Sequence, residues 1–256
     1  MKVAIVTGAS RGLGVEYAKL LSKAGYSLGL IARNREALEK VSAEIKNSIY
    51  EVGDATNKES LLRLVNRVEN EFGPVQIFIS NAGVWGPIGK TWEINVEDWW
   101  NDFTVNMKST LVASSVILPR MLVRNSGKLI FITSYAGAFR WPHCSSYSSS
   151  KAAVNKLAEN IGFEIKDKNV QVFAYHPGFL EIGLAEQAED LLKSSNADVR
   201  RTGEFVLKRI RSKETISVEQ SCQGLMEIIS GKYDKQSGSY LAVEEILRTK
   251  QYSSHI

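Results

Sequence analysis

The sequence predicts an α/β fold: a doubly wound parallel sheet with helices on both faces, three layers in a single domain. Three observations predict it. Strand-like and helix-like segments alternate along the chain, about six times, as such a sheet requires. The strand-like runs are nearly continuous in apolar residues, which is how strands buried on both faces read. And 256 residues suffice for one sizeable core of this kind.

The elements follow in order. "KVAIVT" (2–7) is short, β-branched and ends at Gly8, a strand. "EYAKLLSKAG" (16–25) repeats apolar residues at helical spacing and stops at Gly25. "SLGLIAR" (27–33) reads as strand, "EALEKVSAEIK" (36–46) as helix and "SIYEVGD" (48–54) as strand. "KESLLRLVNRVENEFG" (58–73) is a strong amphipathic helix closed by Gly73 and Pro74, and "VQIFIS" (75–80) is a strand. A long helical region covers about 98–125, before the strand "GKLIFITS" (127–134). "SSSKAAVNKLAENIGFEIKDK" (148–168) is a helix, and "VQVFAYHPG" (170–178) a strand running into a breaker. Residues 180–215 are polar and irregular with helical pieces, 218–230 read as helix, and "GSYLAVE" (238–244) as the last strand. No repeat or linker interrupts the series.

Composition bounds the function. Hydrophobic residues at 44% and charged residues at 23% are ordinary for a soluble globular chain and argue against disorder. No apolar run nears the roughly 18 residues that span a bilayer, and "MKVAIVTGAS" lacks the apolar core and cleavage site of a signal peptide. No membrane association is expected. Cys144 and Cys222 make no disulfide framework, so a reducing cytoplasm is the default location. His143, His176 and His255 show no ligand spacing, so no metal is expected. A net charge of +4 admits small anionic ligands but argues weakly for nucleic acid, and none is expected. The basic stretch "VRRTGEFVLKRIRSKE" (199–214) reads as a solvated helix face.

Doubly wound sheets bind ligands at the carboxyl ends of their strands. After the first strand comes "TGASRGLG", with Gly8, Gly12 and Gly14 between strand and helix. Glycine lets a phosphate approach the backbone, and the helix start offers free N–H groups, so this placement predicts a dinucleotide site. At the end of the second strand, NAD-binding units carry an acidic residue for the ribose 2′-hydroxyl. Here Ala32 holds that place, followed by Arg33, with Arg11 in the glycine loop as a second cation. A carboxylate would repel a 2′-phosphate and an arginine binds one, so NADP(H) is expected over NAD. Asp54 in "GDAT" is placed to accept from the adenine amino group, or else to cap a helix. "SNAG" puts small residues where a flat cofactor can lie on the backbone, or where the chain makes a tight turn.

The fifth strand delivers Ser134, and the next helix carries Tyr147 and Lys151, four residues apart and so on one face. The pair alone is common by chance; its place after the fifth strand of a nucleotide-binding sheet gives it weight. A free phenol has pKa near 10 and is a poor base at neutral pH. A neighbouring ammonium is expected to pull that value down, as would the cationic oxidised nicotinamide. The tyrosine can then exchange a proton with a carbonyl or alcohol oxygen, which a serine hydroxyl can hold.

From "TGASRGLG" through "DAT", "NAG", "VNMKST", Ser134, "YSSSK" and "HPG" to "GSYLAV", essentially the whole chain resembles the single-domain branch of the short-chain dehydrogenase/reductase family, with its Rossmann-like sheet. The resemblance implies an NADPH-dependent enzyme interconverting a ketone or aldehyde and an alcohol by hydride transfer. Tyr147 would be the general acid/base, Lys151 would tune it and hold the nicotinamide ribose, and Ser134 would orient the substrate oxygen. Asn106 would kink the long helix and hold a water linking Lys151 to solvent. The implied cofactor wall is Gly8, Ser10, Arg11, Gly12, Leu13, Gly14, Arg33, Asp54, Ala55, Asn81, Ala82, Gly83, Tyr147, Lys151, Pro177 and Gly178. Val84, Trp85, Phe139, Trp141, His143 and Phe179 would form a largely apolar substrate pocket under a lid at about 180–215. Trp141 fits a pocket wall and a core position equally. Homodimers or homotetramers through the helices at 98–125 and 148–168 are also implied.

One stretch departs from the family pattern. After "PG" a threonine usually helps anchor the nicotinamide; "PGFLEIG" has Ile182 in that place, with Glu181 beside it. Glu181 would contact a cationic substrate or point to solvent. This loop alone supports the other reading, an NADP-binding sensor or scaffold without turnover.

Overall fold

The computed structural model describes residues 2–182, 188–212 and 214–253, with side chains through 248. Seven strands form its centre: β1 (Lys2–Thr7), β2 (Tyr26–Ala32), β3 (Ser48–Val52), β4 (Ile77–Ser80), β5 (Gly127–Ile132), β6 (Val170–His176) and β7 (Tyr240–Ala242). All pair in parallel, in the order β3-β2-β1-β4-β5-β6-β7. The chain builds outward from β1 on one side, then returns to β4 and builds outward on the other. The order therefore reverses between β1 and β4, and a crevice opens there at the strand ends.

The helices are α1 (Gly12–Lys23), α2 (Arg35–Ala43), α3 (Lys58–Phe72), α4 (Val96–Arg124), α5 (Ser145–Glu164), α6 (Ala188–Leu191), α7 (Ala197–Arg211), α8 (Val218–Ile229) and α9 (Val243–Ser253). Alternation along β1 sends Val3 and Ile5 to one face, against Leu61, Leu64 and Val68 of α3, and Ile117 of α4. Ala4 and Val6 face the other way, towards Tyr17 and Leu21 of α1 and Leu225 of α8. These two apolar clusters are the interfaces between the three layers.

Helix starts are fixed by side chains. Asn34, Asn57, Asn95 and Ser217 each accept a backbone N–H in the first turn of α2, α3, α4 and α8. The start of α1 differs: Arg11 stands at the cap in extended conformation and makes no side-chain cap bond. Two of the boundaries that depart from the sequence reading bear on the site. Helix α5 begins at Ser145, so Tyr147 lies inside its first turn. And β7 ends at Ala242, where α9 begins. Glu244 and Glu245 favour a helix N-terminus there, and Val243, Ile246 and Leu247 seat the helix on the core.

Candidate active site

A cavity of about 1330 Å³ opens over the carboxyl ends of the strands. Thr7, at the end of β1, joins the two halves of the crevice. Its hydroxyl accepts from the backbone N–H of Asn81 (3.0 Å) and of Ala82 (2.9 Å), while Asn81 Nδ2 donates back to the Thr7 carbonyl at 3.0 Å. The glycine loop packs tightly against this junction. Gly8 has φ +65°, and a Cβ there would stand 2.9 Å from Ala82 Cα. Gly14 lies under the loop, where a Cβ would meet the Gly8 carbonyl oxygen at 2.3 Å. So Gly8, Ser10, Arg11, Gly12 and Leu13 line the cavity, whereas Gly14 supports them from below. The uncapped start of α1 stands beside this loop, a ready site for an anion.

Arg33, Asp54, Ala55, Asn81, Ala82 and Gly83 line the same cavity. Among the described residues neither Arg11 nor Arg33 is in an ion pair, and both are exposed. Asp54 is not the cap of α3, which is Asn57. Its Oδ1 instead accepts from Thr56 N and Thr56 Oγ1, both at 2.8 Å, and so holds the turn after β3.

Ser134, Tyr147 and Lys151 also line the cavity. Ser134 Oγ accepts from Ala136 N at 3.2 Å and so starts the short 3-10 turn Tyr135–Gly137. That turn presses on α5: a Cβ on Gly137 would meet the Lys151 carbonyl carbon at 2.5 Å. Lys151, 5% exposed, donates from Nζ to the Ile132 carbonyl at 2.9 Å and sits 5.8 Å from the Tyr147 ring centroid. Burial pushes the Tyr147 phenol up to about 12; the Ser134 hydroxyl opposes this, and the Asp102 and Cys144 side chains add to it. The expected fall does not appear: burial dominates the phenol, and Lys151, itself depressed by burial to about 8, is not among the groups that move it. Tyr147 is therefore a protonated phenol at neutral pH.

Asn106 is fully buried and lies behind the cavity rather than on its wall. Helix α4 is continuous across it. Its Oδ1 accepts from Val84 N at 2.9 Å, and its Nδ2 donates towards the Val84 carbonyl (3.0 Å), Asp102 Oδ1 (3.0 Å) and Ser150 Oγ (3.1 Å). The amide is thus spent on the protein: it clamps the segment that carries Val84 and Trp85 into the site.

Val84, Trp85, Phe139, Trp141 and Phe179 line the cavity next to Tyr147, as do Pro177 and Gly178. Trp85 Nε1 donates to Cys144 Sγ at 3.3 Å. Trp141 is half-buried rather than core: it faces the cavity and packs edge-on to the exposed Phe205, ring centroids 5.3 Å apart. His143 is the exception among the substrate-side expectations, since it is not part of the wall. It adopts a left-handed backbone (φ +66°) just before α5, and its carbonyl accepts from Gly89 N at 2.9 Å. Ile182 faces the cavity, and the exposed Glu181 accepts from Thr215 Oγ1 at 3.2 Å. Sequence reasoning missed Thr7, Asp102, Arg209 and Glu244. The last two reach the cavity from α7 and α9, with the Arg209 guanidinium 4.8 Å from the Phe179 ring centroid. Among the described residues no cluster of His, Cys, Asp and Glu could hold a metal ion, and no helix is long and apolar enough to cross a membrane.

Residues 2–191 match the family model of the short chain dehydrogenases. A short chain dehydrogenase of Pseudocercospora fijiensis is 30% identical over 244 residues, covering 91% of this chain and 79% of the relative. Among solved structures, an actinorhodin polyketide ketoreductase with NADPH superposes with a TM-score of 0.83 at 25% identity, covering 94% of this chain and 95% of that one. An NAD⁺-bound xylitol dehydrogenase superposes with a TM-score of 0.85 at 24% identity, covering 94% of this chain and 96% of that one. With one neighbour carrying each dinucleotide, the shared fold does not choose between them.

Proposed function

The chain belongs to the short-chain dehydrogenase family and is an oxidoreductase of that kind, and from this premise we propose that it is an NADPH-dependent reductase of ketones or aldehydes, able to run in reverse as an alcohol dehydrogenase. The observation that carries the reading is the meeting of Ser134, Tyr147 and Lys151 on one wall of the cavity that the glycine loop opens.

In this reading the loop from Gly8 to Leu13 and the uncapped start of α1 hold the cofactor's phosphates. Arg11 and Arg33, two exposed cations beside Ala32, take the 2′-phosphate, and Asp54 takes the adenine amino group. Bound nicotinamide supplies the hydride. Ser134 holds the carbonyl oxygen, and Tyr147, a protonated phenol, donates its proton to that oxygen. The Lys151 ammonium stabilises the phenolate left behind. The aromatic wall of Trp85, Phe139, Trp141 and Phe179 excludes water and favours an apolar carbonyl compound. Of the lid expected at 180–215, residues 183–187 and 213 lie outside the described residues; α7 would cover the substrate, with Val206 and Arg209 turned to the cavity. Exposed Trp100 and Leu111 on α4 and Phe163 on α5 support a homodimer or homotetramer joined through these helices.

Calorimetric titration tests the cofactor choice. NADPH is expected to bind at least about tenfold more tightly than NADH, and Arg33→Ala to remove most of that gap. Equal affinities in the wild type would refute the 2′-phosphate assignment.

A further inference from the structure

Two carboxylates are buried among the described residues, Asp102 and Asp198. Asp198 has cationic partners, Arg201 at 3.2 Å and Lys90 at 3.5 Å. Asp102, 2% exposed and one turn before Asn106 on α4, is in no ion pair. Its Oδ1 accepts from Asn106 Nδ2 at 3.0 Å. Its Oδ2 and the Ser146 hydroxyl each lack a well-formed hydrogen bond, and the two stand near enough for the hydroxyl to ease the carboxylate. Gly86 lies flat on the carboxyl group, where a Cβ would come 2.3 Å from Asp102 Cγ. Burying a carboxylate outside any ion pair is costly, which raises the question of what its charge balances.

The Asn106 amide points to the answer. Its Nδ2 end bonds Asp102, while its Oδ1 end and Lys151 Nζ both neighbour Gly83: a Cβ placed there would be 2.8 Å from Asn106 Oδ1 and 3.5 Å from Lys151 Nζ. We propose that Asp102 is a positioning residue of this site, which orients the Asn106 amide and supplies the buried negative charge that balances the Lys151 ammonium. Of the charged groups around Lys151, Asp102 is the one whose field favours the ammonium. Tyr147 feels Asp102 from α4, Cys144 from the start of α5 and the Ser134 hydroxyl. The Asp102 carboxyl is itself raised by burial and eased by Ser146, Lys151 and Asn106. The charge balance is independent of turnover; its kinetic consequence rests on the carbonyl-reductase reading.

Asp102→Asn keeps the shape and the bond to Asn106 and removes the charge. In protein carrying ¹³C at lysine Cε, the Lys151 resonance is assigned by its loss in Lys151→Met. It is expected to titrate at about 8 in the wild type and at least about one unit lower in Asp102→Asn. In ketone reduction Tyr147 and Lys151 both work protonated, and the negative charge raises both. Its removal therefore moves the alkaline limb of the kcat profile to lower pH, whereas a purely structural role lowers kcat at every pH and leaves the limb in place. The variant is expected to melt lower than the wild type at neutral pH, since the buried Lys151 ammonium loses the charge that balances it. Should it not fold, Asp102→Ser makes the same comparison. Equal Lys151 titration with and without the carboxylate overturns the proposal. A shifted titration in a protein that reduces no carbonyl compound upholds it and counts against the proposed reaction instead.

Discussion

Replacing Tyr147 by Phe will lower kcat for carbonyl reduction by about a thousandfold and leave the NADPH dissociation constant within about threefold. The ring stays, and with it the packing against Ala136, Cys144, Trp85 and Trp141. Only the hydroxyl goes, which in the proposed mechanism carries the proton to the substrate oxygen. Burial holds that phenol up to about 12, so in reduction it arrives protonated. The reverse reaction needs the phenolate and should gain rate as pH rises. Steady-state kinetics in both directions, beside calorimetry with NADPH, checks the split. Equal losses in binding and in kcat would mean that the substitution disturbs the cleft rather than the chemistry.

Gly14→Ala will have the largest effect on the cofactor cleft. A Cβ at this position would stand 2.3 Å from the Gly8 carbonyl oxygen and 2.7 Å from Asn81 Nδ2. The first contact is backbone, so either α1 or the loop must move. Overpacking of this kind costs about 1–3 kcal/mol. Moving the start of α1 away from the loop also weakens the anion site, and NADPH affinity is expected to fall at least about tenfold. Gly25→Ala is the control, because nothing lies within 4 Å of a Cβ there, although its φ of +83° carries a strain of its own. A Gly14→Ala protein that binds NADPH as the wild type does would show that the close packing under the loop is dispensable.

Much of the fold was legible because alternation of buried strands and amphipathic helices is a property of the sequence itself. The strand ends were legible for the same reason: once β1, β2 and β5 are placed, Gly8, Arg33 and Ser134 follow. Side-chain surroundings were not. Asp102 stands in "EDWWNDF", near a helix start where acidic residues ordinarily serve the helix dipole in solvent. Its burial against Gly86 arises from a segment sixteen residues earlier in the chain and can be seen only in three dimensions. The same holds for Tyr147. Sequence spacing gives its proximity to Lys151, but not the burial that raises the phenol and depresses the lysine. His143 follows Trp141 of the cavity wall by two residues, and its left-handed backbone accompanies its place off that wall. Arg209 and Glu244 come from elements far along the chain, and α9 was hidden behind a run that reads equally as strand.

The most direct test follows deuterium. NADPH deuterated at the transferable position is incubated with the protein and a panel of aromatic and polycyclic ketones, and the products are examined by mass spectrometry. Deuterium on the carbinol carbon with the wild type, and none with Tyr147→Phe, is the predicted result. Tight NADPH binding without transfer to any ketone or aldehyde would contradict the reductase and leave a dinucleotide-binding protein without turnover.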